Sequence, residues 1–199
     1  FLIFDGKEIP ITESTEPAPL SVYGRCKLDA EQQLRARVPD AVAVRMAGFF
    51  GGDEKDKNFV GKFVNHICAL IGDGVTSYAV GDRVWQPTYT LDLARNSLLL
   101  LANEGRGVYN MSSHGEASFF ELAVACVEEL ELTERMTVTE TNEASVAGDE
   151  KARRPTSGIM ENRRLVADRL DRQRPWREAL AEYLKRPYFQ DLIVQLPAE

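Results

Sequence analysis

An α/β fold around a largely parallel sheet is predicted, because short β-rich runs alternate with segments of helical period along most of the chain. Composition agrees: 44% of the 199 residues are hydrophobic and 28% charged, a balance that can bury a core. Glycines, prolines and capping residues mark where the runs stop and start.

The chain opens on Phe1-Leu2-Ile3-Phe4, which reads as the middle of a buried strand closed by the Asp5-Gly6 turn. Chains seldom begin inside a core strand, so the sequence is expected to be the C-terminal portion of a longer protein. Residues 7–21, with Pro10, Pro17 and Pro19, read as loop. Ser21 suits an N-cap, and a helix is predicted over 22–37, stopped by Pro39. Residues 41–46 (AVAVRM) predict a strand, followed by a loop holding Gly48, Gly51 and Gly52. Apolar residues at helical spacing predict a helix over 59–71, ended by Gly72 and Gly74. Strands are predicted at 77–80 and 84–89, a helix over 91–103 and a strand at 108–111. Ser118 and Glu121 have the form of a capping box for a helix running to about Leu130. A strand follows at 136–140. Residues 128–150 hold eight acidic side chains and one arginine, so 141–150 is expected to be surface loop. Two helices, 162–169 and 176–184, complete the tail.

Charge and composition exclude several classes. The formal net charge is -7, with no basic excess to hold a nucleic-acid backbone. No apolar run approaches the roughly 18 residues that span a bilayer, and no secretory leader is visible. Cys26, Cys68 and Cys126 are odd in number and far apart, and His66 and His114 are the only histidines, so no metal-ligand spacing appears. A reduced, cytoplasmic protein is expected, with no nucleic-acid or membrane partner.

Tyr23 and Lys27 stand four residues apart on the first predicted helix, so their side chains share one face. A lysine ammonium near a phenol favours the phenolate, and the tyrosine can then pass a proton to a carbonyl oxygen while hydride reaches the carbon. On spacing alone, a surface tyrosine beside a solvated lysine is the favoured explanation of the pair.

Context narrows this. Phe4-Asp5-Gly6, a Pro-rich loop and then Ser21-Val22-Tyr23-Gly24-Arg25-Cys26-Lys27 form one block. Later blocks are Val44-Arg45, Lys57-Asn58-Phe59-Val60, Gln86-Pro87-Thr88-Tyr89-Thr90 with Asp92-Leu93-Ala94, Gly107-Val108-Tyr109-Asn110-Met111, and Arg154-Pro155 with Ser157. In this order they resemble the dTDP-4-dehydrorhamnose reductase family of extended short-chain dehydrogenase/reductases, and its relative, the regulatory β subunit of methionine adenosyltransferase. The resemblance implies the C-terminal part of a Rossmann-like doubly wound parallel sheet plus a smaller α/β substrate domain. The expected division is 1–52 in the cofactor domain, 53–90 in the substrate domain, 91–111 back in the sheet and 112–199 mainly substrate-binding. It also implies reduction of a 4-keto-6-deoxy sugar nucleotide with NADPH or NADH, and a homo-oligomer or an association with a preceding segment.

Residue by residue, the resemblance makes Tyr23 the proton donor and Lys27 its partner and the holder of the nicotinamide ribose. Arg45 falls on the cofactor side. The family's catalytic Thr or Ser would precede Phe1, as would its glycine-rich phosphate loop; Gly48, Gly51 and Gly52 lack that loop's spacing. Asn58 faces the sugar nucleotide in related reductases, or else merely starts a helix. Pro87 and Thr88 suit either a substrate contact or the start of a strand. Arg154 suits a diphosphate, although many arginines near it need acidic partners or solvent. His114 reads as turn structure, and Trp85 and Trp176 as packing. A non-catalytic, regulatory role on the same fold remains the alternative.

Overall fold

The computed structural model describes residues 1–7, 9–142, 155 and 157–197. Helix α1 (Val22–Arg37) begins where the cap was expected: the Ser21 hydroxyl accepts the Gly24 N–H at 3.1 Å. It stops at Val38, ahead of Pro39, which cannot donate to a further turn. Strand β1 (Val42–Arg45) leads to the two-residue β2 (Phe49–Phe50), then α2 (Phe59–Gly72), β3 (Ser77–Gly81), β4 (Val84–Trp85) and β5 (Thr88–Tyr89). Helix α3 (Thr90–Ala102), β6 (Gly107–Asn110), β7 (Ala117–Ser118), α4 (Phe119–Glu129) and β8 (Thr137–Thr141) follow. The chain ends in α5 (Arg163–Ala167), α6 (Trp176–Leu184) and α7 (Pro187–Val194).

Pairing among the described residues is mostly parallel. Strand β1 lies beside β6, with Val42 opposite Gly107 and Arg45 opposite Asn110. Strands β2 and β5, and β3 and β8, also pair in parallel, while β4 and β7 are antiparallel. Parallel pairs need crossovers, and α2, α3 and α4 lie on those connections.

Burial explains why the helices sit where they do. Val60, Phe63, Val64, Ile67 and Ile71 recur on one face of α2 and pack with Leu122 and Cys126 of α4, Tyr183 of α6 and Phe189 of α7. Each such side chain contributes about 1.5–3 kcal/mol on burial, which outweighs the modest helix propensity of the valines and isoleucines. The α4 capping box forms in both directions: Glu121 N–H to the Ser118 hydroxyl at 3.0 Å, and Ser118 N–H to the Glu121 carboxylate at 2.7 Å. A second core under α3, β6 and α5 contains Leu93, Leu100, Tyr109, Met111 and Leu165. A third is small: Ile3, Phe4, Ile11, Ala47 and Met160.

Three expectations are corrected. Phe1 to Phe4 form a turn, not a strand, with the Phe4 N–H donating to the Phe1 carbonyl at 3.0 Å. Ile3 and Phe4 are nevertheless buried, and a short apolar run signals burial without fixing the backbone. The strand expected over 84–89 is split into β4 and β5, which pair with different partners. Gln86 explains the break: its amide is clamped to Met160, donating to the carbonyl at 3.0 Å and accepting the N–H at 2.7 Å. The tail also holds a third helix, α7, starting at Pro187, where a missing N–H costs nothing. Of the expected acidic loop, residues 143–150 lie outside the described residues, and so does Arg154. No helix of the described residues is long and apolar enough to cross a membrane.

Candidate active site

Tyr23 and Lys27 project from the first two turns of α1 into a cleft of about 530 Å³ between that helix, residues 1–3 and the segment 43–49. The helix can approach residues 1–3 only because position 24 is glycine; a Cβ there would meet the Leu2 carbonyl oxygen at 2.2 Å. The Lys27 ammonium sits 5.4 Å from the Tyr23 ring centroid. Tyr23 is 57% exposed, so its phenol meets anything that enters the cleft. This places a phenol and a cation side by side, as i,i+4 spacing allows.

Arg45 also lines this cleft, but its guanidinium is already engaged. It makes a two-pronged pair with Glu31 of α1, Nε to Oε2 at 2.9 Å and Nη2 to Oε1 at 2.7 Å, over the Phe4 ring. Both side chains are about nine-tenths buried, so the pair ties β1 to α1 beneath the cleft.

Asn58 is half-buried at the start of α2, and its amide makes no cap bond to the helix. It lies where the Tyr23 cleft runs into a second one, of about 430 Å³, and both are bordered by Phe1, Ala47, Gly48 and Phe49. The second cleft has an aromatic wall: Trp85 stacks on Phe119 at 5.0 Å between centroids, and Phe59 tilts against Phe119 at 4.7 Å. Gly48 accommodates the indole, since a Cβ would lie 2.2 Å from both Cε3 and Cζ3 of Trp85. Lys57 and Lys62 line the same cleft and form no ion pair with a described residue. A flat ring and a pair of negative charges would both find partners here.

The remaining expectations fare differently. Thr88 is fully buried and borders neither cleft; its hydroxyl donates to the Gln86 carbonyl at 3.3 Å and accepts the Ser113 N–H at 3.1 Å. A substrate contact through that hydroxyl is therefore not what the geometry offers. Pro87 is likewise buried, outside both clefts, and Gln86 beside it reaches the second one. His114 pairs with Asp171 at 3.3 Å, away from these residues. Sequence reasoning missed the second cleft, because Trp85, Phe119, Lys57 and Lys62 share no spacing pattern and read singly as packing or solvated charge. Only the crowding of aromatic and basic residues around 57–63 hinted at it.

The glycines after β2 do not form a phosphate cradle. A Cβ at Gly51, with φ +135°, would lie 1.9 Å from the Thr90 hydroxyl oxygen, so the glycine serves close packing. Asp53 follows, pairing with Arg186 through both carboxylate oxygens at 2.6 and 2.7 Å. The Gly51 and Asp53 N–H groups are engaged by Asp56 and Tyr183, so they do not offer themselves to a pyrophosphate. Among the described residues, the Tyr23 cleft offers a phenol and an ammonium to a ligand but no glycine cradle for phosphates.

Comparison with known proteins identifies the family of the chain. The model of the RmlD substrate binding domain matches residues 1–189. The chain is 32% identical over 184 residues to the dTDP-4-dehydrorhamnose reductase of Mycolicibacterium smegmatis, covering 88% of this chain and 52% of that protein. It is 28% identical over 170 residues to methionine adenosyltransferase 2 subunit beta of Danio rerio, covering 82% and 50%. A crystal structure of a dTDP-4-dehydrorhamnose reductase from Clostridium acetobutylicum superimposes with a TM-score of 0.80 at 30% identity, over 92% of this chain and 62% of that one. The chain thus spans about half to three fifths of the length of these proteins.

Proposed function

From the chain's membership of the RmlD substrate-binding-domain family, we propose that the full-length protein reduces a 4-keto-6-deoxy sugar nucleotide, with Tyr23 as the proton donor. The observation that carries this reading is the pairing of Tyr23 and Lys27 in one cleft that continues, past Asn58, into an aromatic and basic one. A ketone sugar linked to a nucleoside diphosphate has the same two-part chemistry.

In this reading the sugar lies against Tyr23 with C4 within reach of the phenol. NADPH or NADH, when bound, supplies the hydride for C4. The Tyr23 hydroxyl gives its proton to the C4 oxygen, and Lys27 stabilises the phenolate left behind. Asn58, half-buried and with no side-chain cap bond to its helix, suits a hydrogen bond to the ligand where the clefts meet. Lys57 and Lys62 face the diphosphate, and the Trp85–Phe119 wall faces the base. The division at 53–90 and 112–199 then gives the substrate side, and 1–52 with 91–111 the cofactor side. Arg154 is a further ligand for the diphosphate.

A regulatory role is the second reading, favoured by the similarity to the methionine adenosyltransferase subunit. Turnover separates the two. The full-length protein should oxidise NADPH in the presence of a dTDP-4-keto-6-deoxyhexose, and Tyr23→Phe should lower kcat about 10²-fold or more while leaving the melting temperature close to that of the wild type. Wild-type turnover surviving in Tyr23→Phe rules out the proton-donor role. Absence of turnover in the wild type moves the weight to regulation.

A further inference from the structure

Asp56 is a charged residue with only 6% of its surface exposed, and no site residue yet described accounts for it. Its carboxylate gathers three donors, two from its own turn and one from far along the chain: the Gly51 N–H at 3.0 Å, the Asn58 N–H at 2.9 Å and the Tyr183 hydroxyl at 3.1 Å. The Tyr183 oxygen in turn accepts the Asp53 N–H at 3.1 Å. The turn from Gly51 to Asn58 is therefore wrapped around one carboxylate, which is fastened to helix α6 through a tyrosine 127 positions away. The fit is close, because a Cβ on Gly61 would lie 2.5 Å from the Asp56 Cβ.

A buried carboxylate without a cation is costly unless its lone pairs are filled, and here three N–H or O–H groups fill them. Burial and the neighbouring Asp56 charge push the Tyr183 phenol well above its ordinary value, which keeps its proton in place to donate. Such an arrangement ties the backbone at Asn58 to a carboxylate that is itself anchored on helix α6. Asn58 has no side-chain cap bond to orient it, and its backbone is held from below.

We propose that Asp56 is a positioning residue, which acts through its bond to the Asn58 N–H to aim the Asn58 amide into the junction of the two clefts for a nucleoside-diphosphate ligand. Tyr183 is the anchor that keeps the carboxylate in place. The proposal rests on the reading of that junction as the sugar-nucleotide site. Asp56→Asn keeps the shape but places an NH2 among the donors, so the Asn58 turn loses its fixed geometry.

The test is a double-mutant cycle read by dTDP binding to the full-length protein in calorimetry, with thermal melting alongside. Expected are a roughly tenfold weaker Kd for dTDP in Asp56→Asn, a similar loss in Asn58→Ala, and no further loss when the two are combined. Tyr183→Phe, which deletes one hydroxyl, should weaken binding in the same direction by a smaller factor, and it serves if Asp56→Asn does not fold. A purely structural Asp56 lowers the melting temperature without changing Kd, or weakens binding by factors that multiply with Asn58→Ala; either result overturns the proposal. If Asn58→Ala weakens dTDP binding and neither Asp56→Asn nor Tyr183→Phe does, the site stands and the positioning role falls. If the wild type binds no dTDP, both fall together.

Discussion

Replacing Arg45 by methionine separates two roles that the sequence leaves joined, a cofactor contact and a structural pair. In the structure the guanidinium grips both oxygens of Glu31, and the two side chains are only 8% and 10% exposed. Methionine keeps the length of the side chain and removes the charge, so the Glu31 carboxylate is stranded in a poorly solvated place. Breaking one partner of such a buried pair costs about 3–5 kcal/mol. Unfolding entropy of about 2.1 cal/mol/K per residue then predicts a melting temperature lowered by about 7–12 °C for a chain of this length. Circular-dichroism melting measures it directly. Adding Glu31→Leu removes the stranded charge, and the double variant should recover most of the loss, because apolar replacements of a whole buried pair are often neutral. The double variant then asks the functional question: NADPH affinity within about twofold of wild type means that Arg45 acts through the fold alone. The reasoning is refuted if Arg45→Met melts within about 2 °C of the wild type, or if the double variant is no more stable than the single one.

Three further perturbations test other parts of the structure. Gly48→Ala should push the Trp85 ring off its seat, costing about 1–3 kcal/mol and shifting tryptophan fluorescence; an unchanged spectrum and melting curve would contradict the packing described. Thr88→Val should destabilise by about 1–3 kcal/mol through the lost bonds to Gln86 and Ser113, with dTDP affinity unaltered, and a selective loss of affinity would restore Thr88 to the site. Under native conditions Cys26 should react with a thiol reagent while Cys68 and Cys126, buried and with their thiols pushed up by burial, wait for denaturant; mass spectrometry of the alkylated chain reads the order.

The elements of the fold were legible where the signal is local. Ser21 and Pro39 bracket α1 because a cap and a stop act within one turn, and the Ser118–Glu121 box fixes α4 for the same reason. The amphipathic face of α2 announced the large core. Errors fall where distant parts decide. Nothing within residues 84–89 says that Gln86 will be clamped by Met160, 74 positions later, and that clamp is what divides one strand into two. Phe1 to Phe4 are buried as read, yet their backbone follows the small core with Ile11 and Met160 rather than a strand ladder.

The site divides along the same line. Tyr23 and Lys27 could be read because both lie on one helix and i,i+4 spacing fixes their neighbourhood before any folding is considered. Thr88 stays open in the sequence because a hydroxyl after proline looks alike whether it meets a ligand or a buried N–H; in the fold it accepts the Ser113 N–H. Asp56 carried no signal at all: one acidic residue among Asp53, Glu54 and Asp56 reads as solvated charge. What distinguishes it is a tyrosine on α6, and α6 reaches it only because Tyr183 is packed between Phe50 and Phe189 at 5.4 and 4.8 Å. In the proposed site the reacting groups, Tyr23 and Lys27, are local to one helix, whereas Asp56, beside Asn58, is anchored by Tyr183, 127 positions away. A substitution in the C-terminal helices should accordingly disturb ligand binding before it disturbs proton transfer. Tyr183→Phe tests that order, since it should raise KM for the sugar nucleotide while kcat stays within about twofold; a drop in kcat at unchanged KM would refute it.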